Sequence, residues 1–294
     1  MKNTTCVLAV LDRSTSDHAL LAKSARLARR LGARLELFLC DAEHAYELKH
    51  DYEPSHIDAV RRSCIAKAVD YLGGLRTAAG LPEILTSISA ACESPLYEGI
   101  VRKVMESHPD MVVKNASGVQ PPAQAAFDPN DWQLMRKCPV TLLMTRGRAW
   151  HAHPRFAAAV DMSAEETAGL AHGIVETSAM LSAAHGSETD VLYSEADGTA
   201  GAAREAHARA LRKLAEECHV DTNGVRILDG APERTLPAAV LEAQYDVLTM
   251  GALTHRPGVT TLVGTLTSKL VDAADCDFVL VKPVQVAPVG TVLE

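Results

Sequence analysis

The fold of this chain is decided by a short stretch, FAAAVDMS at residues 156–163, which repeats the pattern of VLAVLDRS at residues 7–14. In both stretches an apolar run ends at an aspartate, Asp161 or Asp12, and a serine follows two positions later. Continuous apolar runs are typical of strands buried on both faces of a parallel sheet. A polar cluster behind such a run is typical of a helix N-terminus. The recurrence therefore predicts two copies of one domain, each beginning with a strand and a helix.

Later segments extend the match along each copy. The sequence DMVVK at 110–114 matches DVLTM at 246–250, and CPVTLLM at 138–144 matches CDFVLV at 276–281. All four are predicted to be strands, because they are short, apolar and bounded by polar residues. Apolar residues spaced three to four apart predict the intervening helices, which are expected at 18–31, 56–79, 96–107, 164–184, 200–217 and 232–243.

The alternation of strands and helices indicates the α/β class. Each copy is predicted to be a doubly wound, open parallel sheet with helices on both faces. The segment 146–154 between the copies is polar and contains Gly and Pro, so it is the predicted linker. The domains are therefore expected at residues 1–147 and 154–294, and we expect them to pair as a pseudo-dimer through their last strands, 138–144 and 276–282.

Composition supports two aliphatic cores and argues against several function classes. The chain has 294 residues, of which 47% are apolar and only 4% are aromatic. Its formal net charge is −8, whereas a protein that binds nucleic acid without sequence preference needs a basic face. No nucleic-acid partner is therefore expected. No apolar run reaches the roughly 18 residues of a membrane span, so no membrane partner is expected either.

The cysteines indicate a reducing compartment. There are seven, an odd number, and none forms a C-x-x-C pair. Several lie within apolar runs, where a free cysteine behaves as a small buried hydrophobe. Together with an N-terminus that lacks the layout of a secretory signal, this pattern predicts a cytoplasmic protein with reduced thiols.

These features resemble the universal stress protein family in its tandem form, over nearly the whole chain. The resemblance rests on the VDxS start of the second copy at 160–163, DVLTMG at 246–251, CPV at 138–140 and the Gly264-Thr265 pair. The block FDPNDW at 127–132 is most similar to the E-type tandem members. The resemblance implies two flavodoxin-like, Rossmann-like domains, each with five parallel strands in the order 3-2-1-4-5. It also implies a non-enzymatic binding or signalling module of the stress response.

The resemblance further implies an ATP site, with Mg²⁺, in the second copy. Many family members bind ATP at the carboxyl ends of the first and fourth strands through the motif Gly-x-x-Gly-x9-Gly-Ser/Thr. In this sequence Asp161 takes the adenosine side, and the phosphate side falls on Gly251, Thr254, Gly264 and Thr265. Glycines allow close approach of backbone N–H groups to phosphate, and a helix N-terminus favours an anion. Thr254 stands where the second glycine belongs, which leaves open whether this loop still curls under a phosphate.

The first copy departs further from the motif. Asp12 remains, but Asn115 follows Lys114 where the motif has its first glycine, and no Gly-Ser/Thr pair opens the last helix. We expect this copy to be mainly structural. For both aspartates the alternative role is capping of the N-terminus of the following helix, beside the serine two positions on.

Two other functions stay open at this stage. The pocket could hold a non-nucleotide ligand, either a lipid or another small molecule, or a partner protein, and a second chain could pair with the first as a homodimer. A very slow ATPase is the remaining alternative, although neither a Gly-x-Ser-x-Gly elbow nor a Walker sequence is present and no catalytic residue can be assigned. No metal site is predicted: His44, His50 and His56 are interpreted as residues in or near a loop, and His151 and His153 as linker residues.

Overall fold

The structure is a computed structural model that describes residues 5–50, 54–116, 128–162, 169–196, 198–199, 201–252, 269–271 and 273–283. The elements of the first copy are β1 Cys6–Leu11, α1 Asp17–Leu31, β2 Arg34–Cys40, α2 Ala42–His50, α3 Pro54–Ala78, β3 Thr86–Ala91, α4 Leu96–Ser107, β4 Met111–Asn115, α5 Pro129–Lys137 and β5 Thr141–Thr145. Those of the second copy are β6 Phe156–Ala159, α6 Leu170–Ala184, β7 Thr189–Glu195, α7 Gly201–Glu217, β8 Val225–Asp229, α8 Pro232–Ala243, β9 Val247–Gly251 and β10 Asp277–Val281.

The strands form one continuous sheet in the order β3-β2-β1-β4-β5-β10-β9-β6-β7-β8. Within each copy the strand order is 3-2-1-4-5 and the pairs are parallel, which confirms the expected topology. The two copies meet where β5 and β10 run antiparallel, with Met144 opposite Phe278 and Leu142 opposite Leu280. The expected pairing through the last strands is therefore present in the structure.

Both faces of the sheet are covered by helices, as the apolar runs predict. Alternate residues of a strand point to opposite faces. On β1, Val7 and Ala9 belong to the core under α1, α3, α6 and α7, whereas Leu8 and Val10 belong to the core under α4, α5 and α8. Strands sandwiched in this way have no solvated face, which is why their sequences are apolar throughout.

An aspartate just ahead of the fourth strand fastens the start of the first strand in each copy. Asp110 Oδ2 accepts hydrogen bonds from the Thr5 N–H at 2.7 Å and the Cys6 N–H at 3.1 Å. In the second copy, Asp246 Oδ2 accepts from the Arg155 N–H at 2.9 Å. The repeat therefore extends to a polar contact between strands that lie far apart in the sequence.

The interpretation of one segment is wrong. His44 and His50 are expected in a loop, but they lie in helix α2, whereas His56 lies in α3 within the predicted helix 56–79. Asp41 caps α2, because its Oδ1 accepts from the His44 N–H at 3.2 Å. The predicted linker 146–154 lies between the two copies and packs against the second. Trp150, within it, packs edge-on against Phe156 with ring centroids 6.1 Å apart.

Candidate functional site

The second copy has a crevice at the carboxyl ends of its central strands. Strand β6 lies between β7 and β9, with Ala159 opposite Leu192 and Ala158 opposite Thr249. The chain therefore reverses its direction of winding at β6. Open α/β sheets bind ligands at such a switch point, outside the carboxyl ends of the strands.

Asp161 lies at this edge, two residues beyond the end of β6, and is exposed. Its carboxylate is close to Tyr193 of β7: burial raises the pKa of the Tyr193 hydroxyl, and the negative charges of Asp161 and Glu195 raise it further. An exposed carboxylate beside a half-buried aromatic ring can accept hydrogen bonds from a polar ligand that stacks or packs there. Ser163, which the alternative capping role of Asp161 involves, lies outside the described residues.

Gly251 is the last residue of β9, the strand next to β6, and its position has a packing reason. A Cβ atom there would lie 3.1 Å from Leu170 Cδ2 and 3.7 Å from Ile174 Cδ1, both in α6. Most real Cβ contacts are longer than 3.4 Å, so with a larger residue at this position the Leu170 side chain would have to shift by a few tenths of an ångström. The structure thus places Asp161 and Gly251 at the ends of neighbouring strands. The other predicted site residues, Thr254, Gly264 and Thr265, lie outside the described residues.

In the first copy, the equivalent strand end carries a buried ion pair that the sequence interpretation missed. Lys114 Nζ donates to Asp131 Oδ1 at 2.8 Å and to the Asn115 carbonyl at 2.8 Å. The side chain of Lys114 is 2% exposed and that of Asp131 is 0% exposed. Asn115 Oδ1 in turn accepts from the Thr145 hydroxyl at 2.5 Å. The signal in the sequence is a lysine inside an otherwise apolar strand, which needs a buried partner.

Asp12 and Asp17 form a second polar network at the end of β1. Asp12 Oδ1 accepts from the Ser14 N–H at 3.0 Å and closes a turn ahead of α1, whereas the N-cap of α1 is Ser16, so the alternative role of Asp12 as a helix cap is wrong. The fully buried Asp17 accepts from the backbone N–H groups of Asp12 at 3.2 Å and Arg13 at 2.9 Å, and from the Tyr71 hydroxyl at 2.8 Å. Burial raises the pKa of Asp17 to about 6, although these hydrogen bonds oppose the shift.

The raised pKa of Asp17 predicts a pH-dependent stability. Its pKa in the unfolded chain is about 3.9, so the folded state favours the protonated acid. That stabilisation is complete below pH 4 and is lost as the pH rises to about 6, with a total change of about 3 kcal/mol. We expect Asp17→Asn, measured by denaturant unfolding, to gain stability relative to the wild type as the pH rises from 4 to 6. The control variant Glu205→Gln, at an exposed position, should show the same dependence of the free energy of unfolding on pH as the wild type. If the stability of Asp17→Asn also follows the wild-type pH dependence, the assignment is contradicted.

Each copy also holds a buried carboxylate at the end of its second strand, hydrogen-bonded to a histidine and forming an ion pair with an arginine. Asp41, just after β2, pairs with His44 Nδ1 at 2.9 Å and with Arg13 at 2.8 Å. Burial alone would raise the pKa of Asp41, but the hydrogen bonds from Arg13 and His44 outweigh it and hold the pKa below its usual value.

In the second copy, Glu195 at the end of β7 pairs with His207 Nδ1 at 2.5 Å and with Arg204 at 3.8 Å. The ring of His207 also packs edge-on against Tyr193, with centroids 5.2 Å apart. Sequence periodicity did not reveal either group, because each histidine reaches its carboxylate from a helix.

Two doubly wound copies joined edge to edge, each with its crevice at a switch point, define a tandem α/β protein of the flavodoxin-like class. The family model described as "Universal stress protein family" matches residues 4–146 and again 154–282. The chain therefore belongs to the universal stress protein family, as a tandem of two such domains. In the part of the chain that the structure describes, no helix has the length and apolar character to span a membrane.

Similar proteins extend over almost the whole chain. Universal stress protein E of Escherichia coli K12 is 24% identical over 301 residues, covering 95% of this chain and 94% of its own. The protein of the same description from Photorhabdus laumondii is 23% identical, with 96% of both chains covered. Among solved structures, universal stress proteins of Pseudomonas aeruginosa and Archaeoglobus fulgidus match with TM-scores of 0.74 and 0.66, at 18% and 13% identity. They cover 95% of this chain, and 94% and 96% of their own.

Proposed function

We propose that this chain is a non-enzymatic binding module of the stress response, and that its second copy binds one adenine nucleotide. The observation that carries the proposal is the position of Asp161 and Gly251 at the ends of the adjacent strands β6 and β9. Asp161 would accept hydrogen bonds from the ribose hydroxyls. Backbone N–H groups at Gly264 and Thr265 would hold the phosphates with Mg²⁺, as the spacing of the family motif suggests.

The two copies differ at the end of the fourth strand, the position that decides which copy can bind a nucleotide. The second copy has Met250 and Gly251 where the first has Lys114 and Asn115. In the first copy, Lys114 and Asp131 fill the strand end with a buried ion pair, which supports a structural role there. We therefore expect a single nucleotide site for each chain.

The test is calorimetric titration of the full chain with ATP and Mg²⁺. We expect one site, and a melting temperature that rises with nucleotide concentration because the ligand binds only the folded state. Asp161→Ala should weaken binding at least about tenfold, since hydrogen bonds to a charged group contribute about 1.5–3 kcal/mol. The matched control is Asp12→Ala, the equivalent change in the first copy, which should leave binding unchanged. Absence of both heat and a melting shift in the wild type would rule out the nucleotide.

A second candidate is a non-nucleotide ligand in the same crevice. It is favoured by the contact of Gly251 with Leu170, which gives that glycine a packing role without any phosphate, and by Thr254 in the motif. Native mass spectrometry of the purified protein separates the two candidates. A retained nucleotide supports the first, and a retained lipid or other metabolite supports the second.

We also propose a cytoplasmic location. All seven cysteines are free and buried in the structure. Such thiols remain reduced in the cytoplasm, whereas secreted proteins of this kind usually pair theirs.

A further inference from the structure

A compact group of oxygen, nitrogen and sulfur atoms lies at the outer carboxyl edge of the first copy. Asp41 follows β2, His44 lies on α2 and Cys64 lies on α3. One carboxylate oxygen of Asp41, a ring nitrogen of His44 and the Cys64 sulfur all lie within 4.8 Å of one another. Three elements thus bring together three side chains that could each bind a metal ion.

A second cysteine adjoins this group. Cys92, just after β3, packs with Cys64, Ala45 and Leu48 in a small separate core. Burial, and then the charges of Cys64 and Asp41, raise the pKa of the Cys92 thiol to about 11. The four side chains are therefore neighbours, with two sulfurs, one imidazole and one carboxylate.

We propose that Asp41, His44, Cys64 and Cys92 bind a Zn²⁺ ion. Zinc takes four ligands in a tetrahedron, drawn from cysteine sulfur, histidine nitrogen and carboxylate oxygen, at about 2.0–2.3 Å. Such bond lengths place the ligand atoms about 3.3–3.8 Å apart, so atoms now within 4.8 Å need to move by only a fraction of that distance. Softer sulfur ligands favour zinc over Mg²⁺ or Ca²⁺, which prefer oxygen alone.

The charges and the surroundings fit an ion of this kind. Arg13 donates to Asp41 Oδ2 at 2.8 Å, which orients the carboxylate with Oδ1 towards His44. Two thiolates and one carboxylate would balance the charge of Zn²⁺ and Arg13 together. Both thiols lose their protons to solvent when the metal binds, so the site takes up zinc with release of protons. His44 is half exposed, which leaves a route for the ion into an otherwise buried group.

The second copy provides an internal comparison. Glu195, His207 and Arg204 repeat the carboxylate, histidine and arginine of the first copy. Among the residues that the structure describes, however, only the group of Asp41, His44 and Cys64 brings three ligand atoms together. The cysteines therefore distinguish the group in the first copy from its counterpart in the second, and they provide the soft sulfur ligands that zinc prefers. This proposal revises the expectation that the chain has no metal site.

The experiment titrates the reduced, chelator-treated full chain with Zn²⁺ in competition with a chromophoric chelator. We expect one ion for each chain, and at least about tenfold weaker binding in His44→Ala and Cys64→Ser, because even residues behind the ligands contribute 10–100-fold. With Co²⁺ in place of Zn²⁺, the thiolate-to-metal absorption of the wild type should fall in Cys64→Ser and Cys92→Ser. His207→Ala and Cys218→Ser are the matched controls, and they should bind as the wild type does.

Several outcomes would overturn the proposal. One is a reduced wild-type chain that does not bind Zn²⁺, and another is unchanged affinity in both His44→Ala and Cys64→Ser. A Cys64–Cys92 disulfide in the protein as purified, with no zinc uptake after reduction, would show that the sulfurs serve another role. Because His44 is half exposed, the His44→Ala variant should still fold, and its measured melting temperature verifies this. Loss of zinc binding in that variant then reports on the ligand and not on folding. Nucleotide binding in the second copy does not affect this result.

Discussion

Replacement of Lys23 by methionine is expected to lower the free energy of unfolding by about 3–5 kcal/mol, because it leaves the carboxylate of Asp277 buried without its cation. Lys23 lies on α1 of the first copy, and Asp277 begins β10 of the second. Lys23 Nζ contacts Asp277 Oδ2, and their side chains are only 4% and 3% exposed. The two copies are therefore joined by an ion pair that solvent does not reach.

Both carboxylate oxygens of Asp277 accept hydrogen bonds from further donors. Its Oδ2 also accepts from the Trp150 indole N–H at 2.7 Å, and its Oδ1 accepts from the Arg146 N–H at 2.8 Å. Burial raises the pKa of Asp277, while Lys23 and these donors lower it. Without Lys23 the Trp150 indole and the Arg146 backbone N–H still donate to Asp277, but neither carries a charge to balance the carboxylate.

Urea unfolding of the full chain, followed by circular dichroism, measures the effect of Lys23→Met. The control is Lys269→Met, an exposed lysine 3.5 Å from Glu233, whose loss should change stability little. Addition of Asp277→Asn to Lys23→Met should restore part of the lost stability, since a neutral amide no longer needs a cation. A Lys23→Met variant as stable as the lysine control would contradict the assignment.

The strands themselves could be predicted from the sequence because apolar runs encode buried strands locally, whereas their order is implied by the family resemblance. The runs at 7–11 and 156–160 give the first strand of each copy, and the family resemblance gives their neighbours. That order also explains why Asp161 and Gly251 lie at adjacent strand ends. Periodicity, however, specifies the face of an element and not its partner, so the contact of Lys23 with Asp277, 254 residues away, was not predictable.

Helix α2 and the metal-binding group were missed for a related reason. In the described part of α2 only Ala45 and Leu48 pack into a core, which is too few for a recognisable helical stripe. The segment was therefore taken as a loop, and His44 as a solvated side chain. Asp41 and Cys64 come together only because α3 packs back on α2. Tertiary contact of this kind has no local pattern in the sequence.

The second large effect concerns the buried pair at the end of β4. Asp131→Ala is expected to lower the free energy of unfolding by about 3–5 kcal/mol, because Lys114 then keeps a positive charge in a site that is only 2% exposed. Asp131 lies in α5, whose N-terminus Asp128 caps by accepting from the Asp131 N–H at 2.8 Å. The pair therefore attaches the first turn of α5 to the sheet.

A double replacement tests whether the cost comes from the unpaired charge. The second copy has a buried Met250 at the position of Lys114, so this strand end already accepts an apolar side chain, and the double variant is Lys114→Met with Asp131→Leu. Replacement of both members of a buried pair by apolar residues is often neutral or stabilising, so the double variant should recover most of the stability lost in Asp131→Ala. Lys213→Met, at an exposed lysine 3.6 Å from Glu217, is the control and should change little. If the double variant is as unstable as Asp131→Ala, the loss arises from disrupted packing of α5 and not from the buried charge.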